Sequence, residues 1–198
     1  MDKLYLFDLG GVVVRWTGFS ELAKLSKLSY EETIKRFSRS TICSAFETGQ
    51  TQPTIFLNHM IDLYGLNLSP DAFKRMWNGW VGDCFEGVED SIKELGQKNK
   101  TACLSNTNDL HWQHLNQYFD TSEVFHHVFA SHQIKAVKPD KTAYKVVFNR
   151  TAYEPENIIF FDDTQININA AKAVGMQAYK VDPNVGVLPI LKSLNLIS

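Results

Sequence analysis

Short apolar runs recur along the chain, and most of them are followed by a stretch whose apolar residues lie at helical spacing. Regular alternation of strand and helix predicts an α/β fold in which helices cover both faces of a parallel sheet. The predicted strands are 3–8, 101–105, 127–131, 157–162 and 177–181, and the predicted covering helices are 89–97, 110–119, 141–150, 166–174 and 188–194.

Residues 17–84 depart from this alternation and carry helix-start signals instead. Ser29 with Glu32 three positions later forms a capping box, and Ser69 followed by Pro70 places an N-cap before a first-turn proline. A helical insert is therefore predicted between the first two strands. Because it leaves the sheet just after Asp8, we expect it to lie over the edge where that strand ends. The predicted domains are an α/β core of residues 1–16 and 85–198 and a helical cap of residues 17–84.

Composition and charge narrow the classes of partner. The chain has 198 residues, 44% of them hydrophobic, which is enough to bury a full core. Its 20 Lys and Arg residues against 22 Asp and Glu residues give a net charge of −2, so no broad basic face for nucleic acid or an anionic membrane is expected. We expect a small-molecule partner, and nothing in these patterns fixes an oligomeric state. No apolar run approaches membrane-spanning length and no secretory signal pattern opens the chain, so the expected location is cytoplasmic.

The cysteines and a histidine cluster suggest no metal site. Cys43, Cys84 and Cys103 are widely spaced and form no C-x-x-C pair, so neither a disulfide framework nor a zinc site is indicated, and we expect buried free thiols. Three histidines between positions 126 and 132 straddle a predicted strand and lack paired carboxylates, which favours a structural role over a ligand role.

Asp8 ends the first apolar run and is followed directly by a turn that contains Gly10 and Gly11. A strand that stops on a carboxylate presents that group at its carboxyl end, where parallel α/β sheets build their sites. Asp8 is therefore a candidate nucleophile. The alternative is an ordinary Asp-Gly loop between a strand and a helix.

Asp162 and Asp163 end the fourth predicted strand in the same way. Two acids after a fully apolar run are costly to bury unless a cation meets them. Mg²⁺ is the natural candidate, because it prefers hard oxygen ligands and takes few carboxylates from the protein. The alternative role for this pair is to cap the helix that follows, and we expect one of the two acids to do so in part.

Two further segments complete the candidate site. Ser105 and Asn106 end the second strand, where a hydroxyl, an amide and free backbone N–H groups suit phosphate oxygens, although the same residue types are also common in turns. Lys138 precedes Pro139 in the loop after the third strand, and the proline restricts the backbone beside it.

A strand-end Asp, a strand-end Ser, a Lys-Pro and a strand-end Asp pair follow one another in that order over essentially the whole chain. This constellation resembles the haloacid dehalogenase-like (HAD) superfamily, whose members have a Rossmann-like parallel sheet core with an inserted small α-helical cap. Within it, the chain is most similar to bacterial sugar-phosphate phosphatases active on glucose 1-phosphate. The segments that carry this similarity are FDLGGVV (7–13), LSNTN (104–108), FDD (161–163) and, in the insert, FETG (46–49).

The resemblance implies a Mg²⁺-dependent phosphomonoester hydrolase that acts on a small phosphorylated metabolite. It implies that Asp8 attacks phosphorus to give an aspartyl-phosphate and that Ser105 and Asn106 hold phosphate oxygens. It implies further that Lys138 neutralises charge on the nucleophile and on the phosphoryl group. It also implies that Asp8, Asp163 and the carbonyl of Gly10 bind Mg²⁺, with Asp162 in or next to that shell.

Gly10 departs from the superfamily pattern, which has a second acid at this place. That acid protonates the leaving oxygen and then activates water, and losing it typically costs roughly 10²–10⁴-fold in rate. Leaving groups of low pKa, such as aryl, acyl or anomeric phosphates, suffer least. The glucose 1-phosphate group is expected to share this glycine, and Glu47 of the insert is one hypothesis for a substitute acid.

Other functions remain open from the sequence. The runner-up is a catalytically weak phosphate- or metabolite-binding regulator on the same scaffold; a phosphomutase and a haloacid dehalogenase rank lower. Arg15 and Trp16 follow the first loop and are candidates to touch the leaving group, with a packing role favoured for the tryptophan.

Overall fold

The computed structural model describes residues 2–197 and contains two sheets. Its strands, in chain order, are β1 (Leu4–Phe7), β2 (Val14–Trp16), β3 (Val81–Cys84), β4 (Lys100–Ser105), β5 (His127–Ala130), β6 (Ile158–Asp162) and β7 (Gln177–Lys180). The five strands predicted from the apolar runs are β1, β4, β5, β6 and β7, and each lies within one residue of its expected bounds at both ends.

The larger sheet has the order β5-β4-β1-β6-β7, and all of its strand pairs are parallel. The prediction of a parallel α/β core is confirmed. Strand β1 lies at the centre, with Leu4 opposite Lys100 of β4 on one side and Ile158 of β6 on the other. The carboxyl ends of β1, β4 and β6 therefore meet at one edge of the sheet.

Twelve α-helices are found among the described residues. They are α1 (Gly18–Ser26), α2 (Tyr30–Arg39), α3 (Thr41–Glu47), α4 (Pro53–Tyr64), α5 (Pro70–Gly79), α6 (Val88–Gly96), α7 (Asp109–Leu115), α8 (Thr121–Val124), α9 (Ser131–Ile134), α10 (Lys141–Thr151), α11 (Gln165–Ala173) and α12 (Leu188–Ser193). A 3₁₀ turn, Pro155–Asn157, precedes β6. The sequence prediction missed α8 and α9, because four residues carry too little periodicity to be recognised.

Side chains of β1 alternate between two hydrophobic layers, as the pleat requires. Tyr5 and Phe7 pack into the layer under α6 and α12, whereas Leu4 and Leu6 pack into the layer under α10 and α11. Because both faces are covered, the strand reads as a continuous apolar run rather than an alternating one.

Helices α1 to α5 form the predicted helical insert and have a hydrophobic core of their own, rich in Phe and Trp. Both predicted N-caps are present: the Ser29 hydroxyl accepts from the backbone N–H of Glu32 at 3.1 Å, and the Ser69 hydroxyl accepts from that of Ala72 at 3.2 Å. The Glu32 carboxylate does not complete the capping box; it accepts a hydrogen bond from Arg36 at 3.0 Å.

A two-stranded antiparallel sheet, which the sequence prediction missed, joins the insert to the core. It consists of β2, just before the insert, and β3, just after it. Strand β2 has three residues, and β3 contains Gly82 and Asp83. Neither strand therefore has an alternating apolar pattern that can be recognised in the sequence. The expected boundaries of 17–84 assign β2 to the core and β3 to the insert, although the two strands pair with each other.

Two further expectations concern membranes and thiols. Between residues 2 and 197, the structure has no helix that is long and apolar enough to cross a membrane. All three cysteines are free thiols; Cys43 and Cys103 are buried as expected, whereas Cys84 is only half-buried, because it ends β3 at the edge of the small sheet.

The insert's aromatic core predicts a contrast between two neighbouring positions of α4. Phe56 is fully buried and stacks on Phe46 with ring centroids 4.0 Å apart, whereas Ile55 is 50% exposed. We expect Phe56→Ala to lower the free energy of unfolding by about 3–5 kcal/mol and Ile55→Ala by less than about 0.5 kcal/mol. Urea unfolding followed by circular dichroism measures both; equal losses would mean that the insert is not packed as described.

Candidate active site

A cavity of about 390 Å³ lies between the carboxyl edge of the large sheet and the insert, and it is called the site cavity below. Loops after β1, β4 and β6 form its floor, and helices α1, α2, α3 and α5 contribute the opposite wall. The predicted site residues that line it are Asp8, Gly10, Ser105, Asn106, Lys138 and Asp163.

Asp8 directly follows β1, and its main chain extends the sheet, since its N–H donates to the carbonyl of Phe161 at 2.9 Å. Its side chain is held at both oxygens. Oδ1 accepts from the backbone N–H of Leu9 at 2.7 Å, and Oδ2 lies 2.9 Å from Nζ of Lys138. The carboxylate is thus fixed at the floor of the site cavity.

Lys138 is 3% exposed, so its ammonium group is buried. Nζ lies between two carboxylates, 2.9 Å from Asp8 and 2.7 Å from Asp162. Asn106 holds the backbone of the same residue: its Oδ1 accepts from the Lys138 N–H and its Nδ2 donates to the Lys138 carbonyl, both at 2.8 Å. The loop that carries the lysine is therefore tied to the end of β4, and one amide hydrogen of Asn106 stays available.

The two acids at the end of β6, Asp162 as its last residue and Asp163 directly after it, have different surroundings. Asp162 is fully buried, and its two oxygens accept hydrogen bonds from Lys138, Asn167 and the backbone N–H of Thr164. This last bond closes the turn before α11, whose N-cap is Thr164; no side chain caps that helix, so the expected helix-capping role of one of the two acids is wrong. Asp163 is half-buried; its Oδ1 accepts from the Thr164 hydroxyl at 3.1 Å, and its Oδ2 accepts from none of the residues 2–197.

Gly11 allows Asp163 to approach the loop after β1. Its φ is +73°, and a Cβ atom there would lie 2.8 Å from Oδ2 of Asp163. A residue with a side chain would be strained by the backbone and would displace the carboxylate. Asp8, Asp162 and Asp163 each offer an oxygen within 4.8 Å of the others, a donor set that suits a hard divalent cation.

Three carboxylates share one ammonium group, and the ionisation of Asp8 and Asp163 is shifted in these surroundings. Burial raises the pKa of Asp8 to about 8; Lys138 opposes the rise, and the two neighbouring carboxylates add to it. Burial and Asp162 likewise raise the pKa of Asp163. Burial acts to lower the pKa of Lys138, but the two carboxylates that contact it outweigh burial and keep the pKa above its ordinary value. A divalent cation would relieve the excess negative charge.

Ser105 is buried at the end of β4 and lines the site cavity. Its hydroxyl makes no hydrogen bond to another residue of the described chain, which leaves it able to meet an anion. Together with Nζ of Lys138 it provides two donors at the cavity floor, as a phosphate group requires.

Gly10, in the loop that forms part of the cavity floor, is adjacent to Trp16. A Cβ atom on Gly10 would lie 3.3 Å from Cβ of Trp16, so a side chain there would press on the tryptophan. Trp16 lines the cavity while its ring packs edge-on against Phe19 and Trp77. Arg15 does not line the cavity, contrary to its candidate role; its guanidinium lies over the Phe85 ring, 4.6 Å from the centroid.

His111 also lines the cavity and was missed by the sequence analysis. Its Nε2 donates to the carbonyl of Trp77 at 2.8 Å, its Nδ1 accepts from Nδ2 of Asn108 at 3.1 Å, and its ring stacks on Trp77 at 4.6 Å. Burial lowers its pKa to about 3, so the ring is neutral. The available signal was Asn108 as an N-cap for α7, three residues before the histidine. The three histidines 126, 127 and 132 form no metal cluster within residues 2–197.

Sequence comparisons match this chain to a protein family and to a named phosphatase. A family model described as haloacid dehalogenase-like hydrolase matches residues 19–181, a range that begins after Asp8. A D-ribitol-5-phosphate phosphatase of Bacteroides thetaiotaomicron is 24% identical, over 91% of this chain and 92% of that protein.

Solved structures are similar over nearly the whole chain. A HAD family enzyme of Bacteroides thetaiotaomicron, in complex with magnesium and inorganic phosphate, is 25% identical over 91% of this chain and 94% of that one, with a TM-score of 0.76. A HAD-like family hydrolase of Porphyromonas gingivalis is 21% identical over 98% of both chains, with a TM-score of 0.78, and supports the fold alone.

The raised carboxyl pKa values predict that the metal-free protein loses stability as pH rises from about 6.5 to 8.5. Burial raises the pKa of Asp8 to about 8 and the pKa of Glu47 to about 7 in the folded protein. In an unfolded chain, both groups have a pKa of about 4. The folded state therefore binds more protons over this range, and its stability falls as they dissociate. His111 acts in the opposite direction, but only below pH 6.5.

We expect the free energy of unfolding in EDTA to fall by on the order of 2 kcal/mol across that range. Urea unfolding at pH 6.5 and 8.5 measures it, and excess MgCl₂ should reduce the fall. Stability that is flat or rises in EDTA would contradict the described burial of these acids.

Proposed function

Since this chain belongs to the haloacid dehalogenase-like hydrolase family, we propose that it is a Mg²⁺-dependent phosphatase of a small phosphorylated metabolite. The single observation that carries the proposal is the group Asp8, Lys138 and Asp163 at one edge of the sheet, beneath a cavity of metabolite size. The resemblance read from the sequence motifs is confirmed at the level of the family.

Asp8 is the proposed nucleophile. Oδ1 is bound by the Leu9 N–H, and Oδ2 faces the Lys138 ammonium group. Phosphoryl transfer depends mainly on positioning and charge neutralisation, so a carboxylate can attack a phosphate dianion only where cations offset the repulsion. Attack breaks the ester bond and forms an aspartyl-phosphate, which water then hydrolyses to inorganic phosphate and free Asp8.

The neighbouring residues have supporting roles in this proposal. Lys138 neutralises charge on the phosphoryl group, and Ser105 donates its free hydroxyl to a phosphate oxygen. Asn106 contributes its remaining amide hydrogen and holds the backbone of Lys138 through its two 2.8 Å bonds. Asp162 orients the lysine ammonium group from below.

Mg²⁺ is the proposed metal because the carboxylates of Asp8 and Asp163 are hard oxygen donors with capacity to spare. Bound there, it would screen the negative charge that Asp8 and the substrate share. The carbonyl of Gly10 remains a proposed third ligand. Asp162 is proposed to stay outside the coordination shell, since hydrogen bonds already occupy its oxygens. The magnesium-bound HAD structure at 25% identity supports the choice of metal.

The substrate is proposed to be a sugar or polyol phosphate. The relative named for D-ribitol 5-phosphate supports this class, and the motif resemblance to glucose 1-phosphate phosphatases adds a second substrate to test. Trp16, Phe37 and Trp77 line the site cavity and present aromatic surface to the carbon skeleton of a sugar.

A second candidate function is a phosphate- or metabolite-binding regulator with weak catalysis. Gly10 favours it, because the position offers no side chain to donate a proton. A phosphomutase depends on such an acid more strongly, and a haloacid dehalogenase would leave Asp163 without a metal to bind. Both rank below the phosphatase.

The function is tested by hydrolysis of p-nitrophenyl phosphate, D-ribitol 5-phosphate and glucose 1-phosphate, with MgCl₂ or with EDTA. Asp8→Asn should lower kcat by on the order of 10³-fold or more on every substrate, because the nucleophile is lost. Asp62→Asn, which alters an exposed acid of α4, is the matched control and should leave kcat unchanged. A folded protein that binds Mg²⁺ and phosphate without turnover would favour the regulator.

Magnesium binding distinguishes the roles of the two acids at the end of β6, Asp162 and Asp163. Asp163→Asn should lower the affinity for Mg²⁺ at least tenfold in a calorimetric titration, because it removes a proposed ligand. Asp162→Asn should change the Mg²⁺ affinity less and should instead lower thermal stability and kcat, because Lys138 loses its shortest ion pair. The reverse order of Mg²⁺ affinities would make Asp162 the ligand.

A further inference from the structure

We propose that Glu47, the last residue of α3, is the acid and base that position 10 lacks. The inference rests on the proposed phosphatase function and adds a catalytic group to it. Gly10 lies at the cavity floor without a side chain, and Trp16 lies 3.3 Å from where its Cβ would be. The proton must therefore come from a group outside this loop.

Glu47 and Asp8 line the same cavity, Glu47 from the helical insert and Asp8 from the edge of the sheet. In-line displacement points the leaving oxygen away from the attacking carboxylate, and here that direction leads from the sheet edge towards the insert. Among the cavity-lining residues that the insert contributes, Glu47 is the acid. The others within the described chain are apolar or aromatic: Phe19, Tyr30, Ile34, Phe37, Trp77 and Val81.

The core holds Glu47 at the loop that follows β4. The hydroxyl of Ser131 accepts from the Thr107 N–H at 2.9 Å and lies 2.7 Å from both the Glu47 and the Thr107 carbonyl oxygens, to one of which it donates. One side chain of α9 thus bridges the end of α3 and the proposed phosphate-binding loop. The backbone of Glu47 is fixed about two hydrogen-bond lengths from that loop.

A second contact fixes the turn after α3. Nζ of Lys135 donates to the Gly49 carbonyl at 2.9 Å. Gly49 has a φ of +63°, and a Cβ atom there would overlap the His132 carbonyl oxygen. Only glycine lets this turn pack so closely on α9. The position of Glu47 is therefore set by close packing rather than by a loose loop.

The carboxyl group of Glu47 has no ion pair or hydrogen bond to any residue between 2 and 197. Burial alone raises its pKa to about 7, which suits a group that must give and take a proton near neutral pH. Charged and titratable groups do surround it without bonding to it. They are Cys43 on its own helix, Lys135 just after α9, which contacts Gly49, and the titratable residues that line the same cavity, Tyr30, His111, Asp8, Lys138 and Asp163.

The reaction balances with this group in both steps. As Asp8 bonds to phosphorus, the bond to the leaving oxygen breaks and that oxygen takes the proton of the Glu47 carboxyl group. In the second step the Glu47 carboxylate takes a proton from water as the water oxygen attacks the aspartyl-phosphate. The bond from phosphorus to Asp8 breaks, inorganic phosphate leaves, and both carboxyl groups return to their starting states.

Two substrates separate the roles of Glu47. Benzyl phosphate has a poor leaving group, which needs a proton to depart. The p-nitrophenolate group of p-nitrophenyl phosphate departs without one. With MgCl₂ present, Glu47→Gln should lower kcat/KM by roughly 10²–10⁴-fold on benzyl phosphate and by much less on p-nitrophenyl phosphate. On the latter, kcat should fall more than kcat/KM, because hydrolysis of the aspartyl-phosphate still needs the base. A burst of p-nitrophenol should then precede the steady state.

The pH profile provides an independent readout. For benzyl phosphate, kcat/KM of the unaltered protein should fall as pH rises through about 7, because the acid must be protonated. Glu47→Gln should remove this fall. Glu156→Gln, which alters an exposed acid before β6 at the other edge of the sheet, is the matched control and should retain it.

Three results would overturn the inference. Equal kcat/KM losses on both substrates, together with a lower melting temperature, would give Glu47 a structural role only. An unchanged rate and pH profile in Glu47→Gln, with turnover still dependent on Asp8, would remove Glu47 and leave the phosphatase proposal intact. No turnover of either substrate by the unaltered, folded protein would remove both proposals.

Discussion

The two ion pairs of the Lys138 ammonium group, with Asp8 and with Asp162, are the interactions on which the site depends. The ammonium group is buried between Asp8 and Asp162, and it joins the loop that follows β1 and the last residue of β6 to the segment after α9. A buried charge is tolerated only when it is paired and hydrogen-bonded, so neither carboxylate can move far without leaving the lysine unpaired. Asn106 fixes the lysine backbone from the end of β4, and this contact extends the constraint to a third strand.

The sheet order explains why one lysine can reach all of these groups. Strand β1 lies between β4 and β6, and the chain continues outward on one side through β5 and on the other through β7. Parallel strands that diverge in this way open a crevice at their carboxyl ends, where ligands bind in open α/β sheets. The insert closes that crevice with its own aromatic core, which packs separately from the two layers of the sheet.

The cavity divides into two chemical halves. Its floor carries charge, in the form of the Asp8 and Asp163 carboxylates and the Lys138 ammonium group, whereas the wall that the insert contributes is apolar or aromatic apart from Glu47. Charge on the floor suits a phosphate group and a metal ion, and an apolar wall excludes water from the reacting bond. A carboxyl group in that wall loses hydration and gains affinity for a proton, which is the environment that makes an acid useful near neutral pH.

The sequence by itself determined the five strands of the large sheet, their parallel arrangement, the helical stretch between the first two of them and the order of the residues around the candidate site. These follow from local rules, because apolar periodicity defines strands and helices, and parallel strands present their carboxyl ends together. Tertiary structure decided what each acid contacts. The hydrogen bonds that occupy Asp162, the contact between Arg15 and Phe85, the burial of His111 and the anchoring of Glu47 by Ser131 all join residues that the chain brings together only on folding. A spacing pattern carries no information about such partners, and the ionisation of a carboxyl group depends on them.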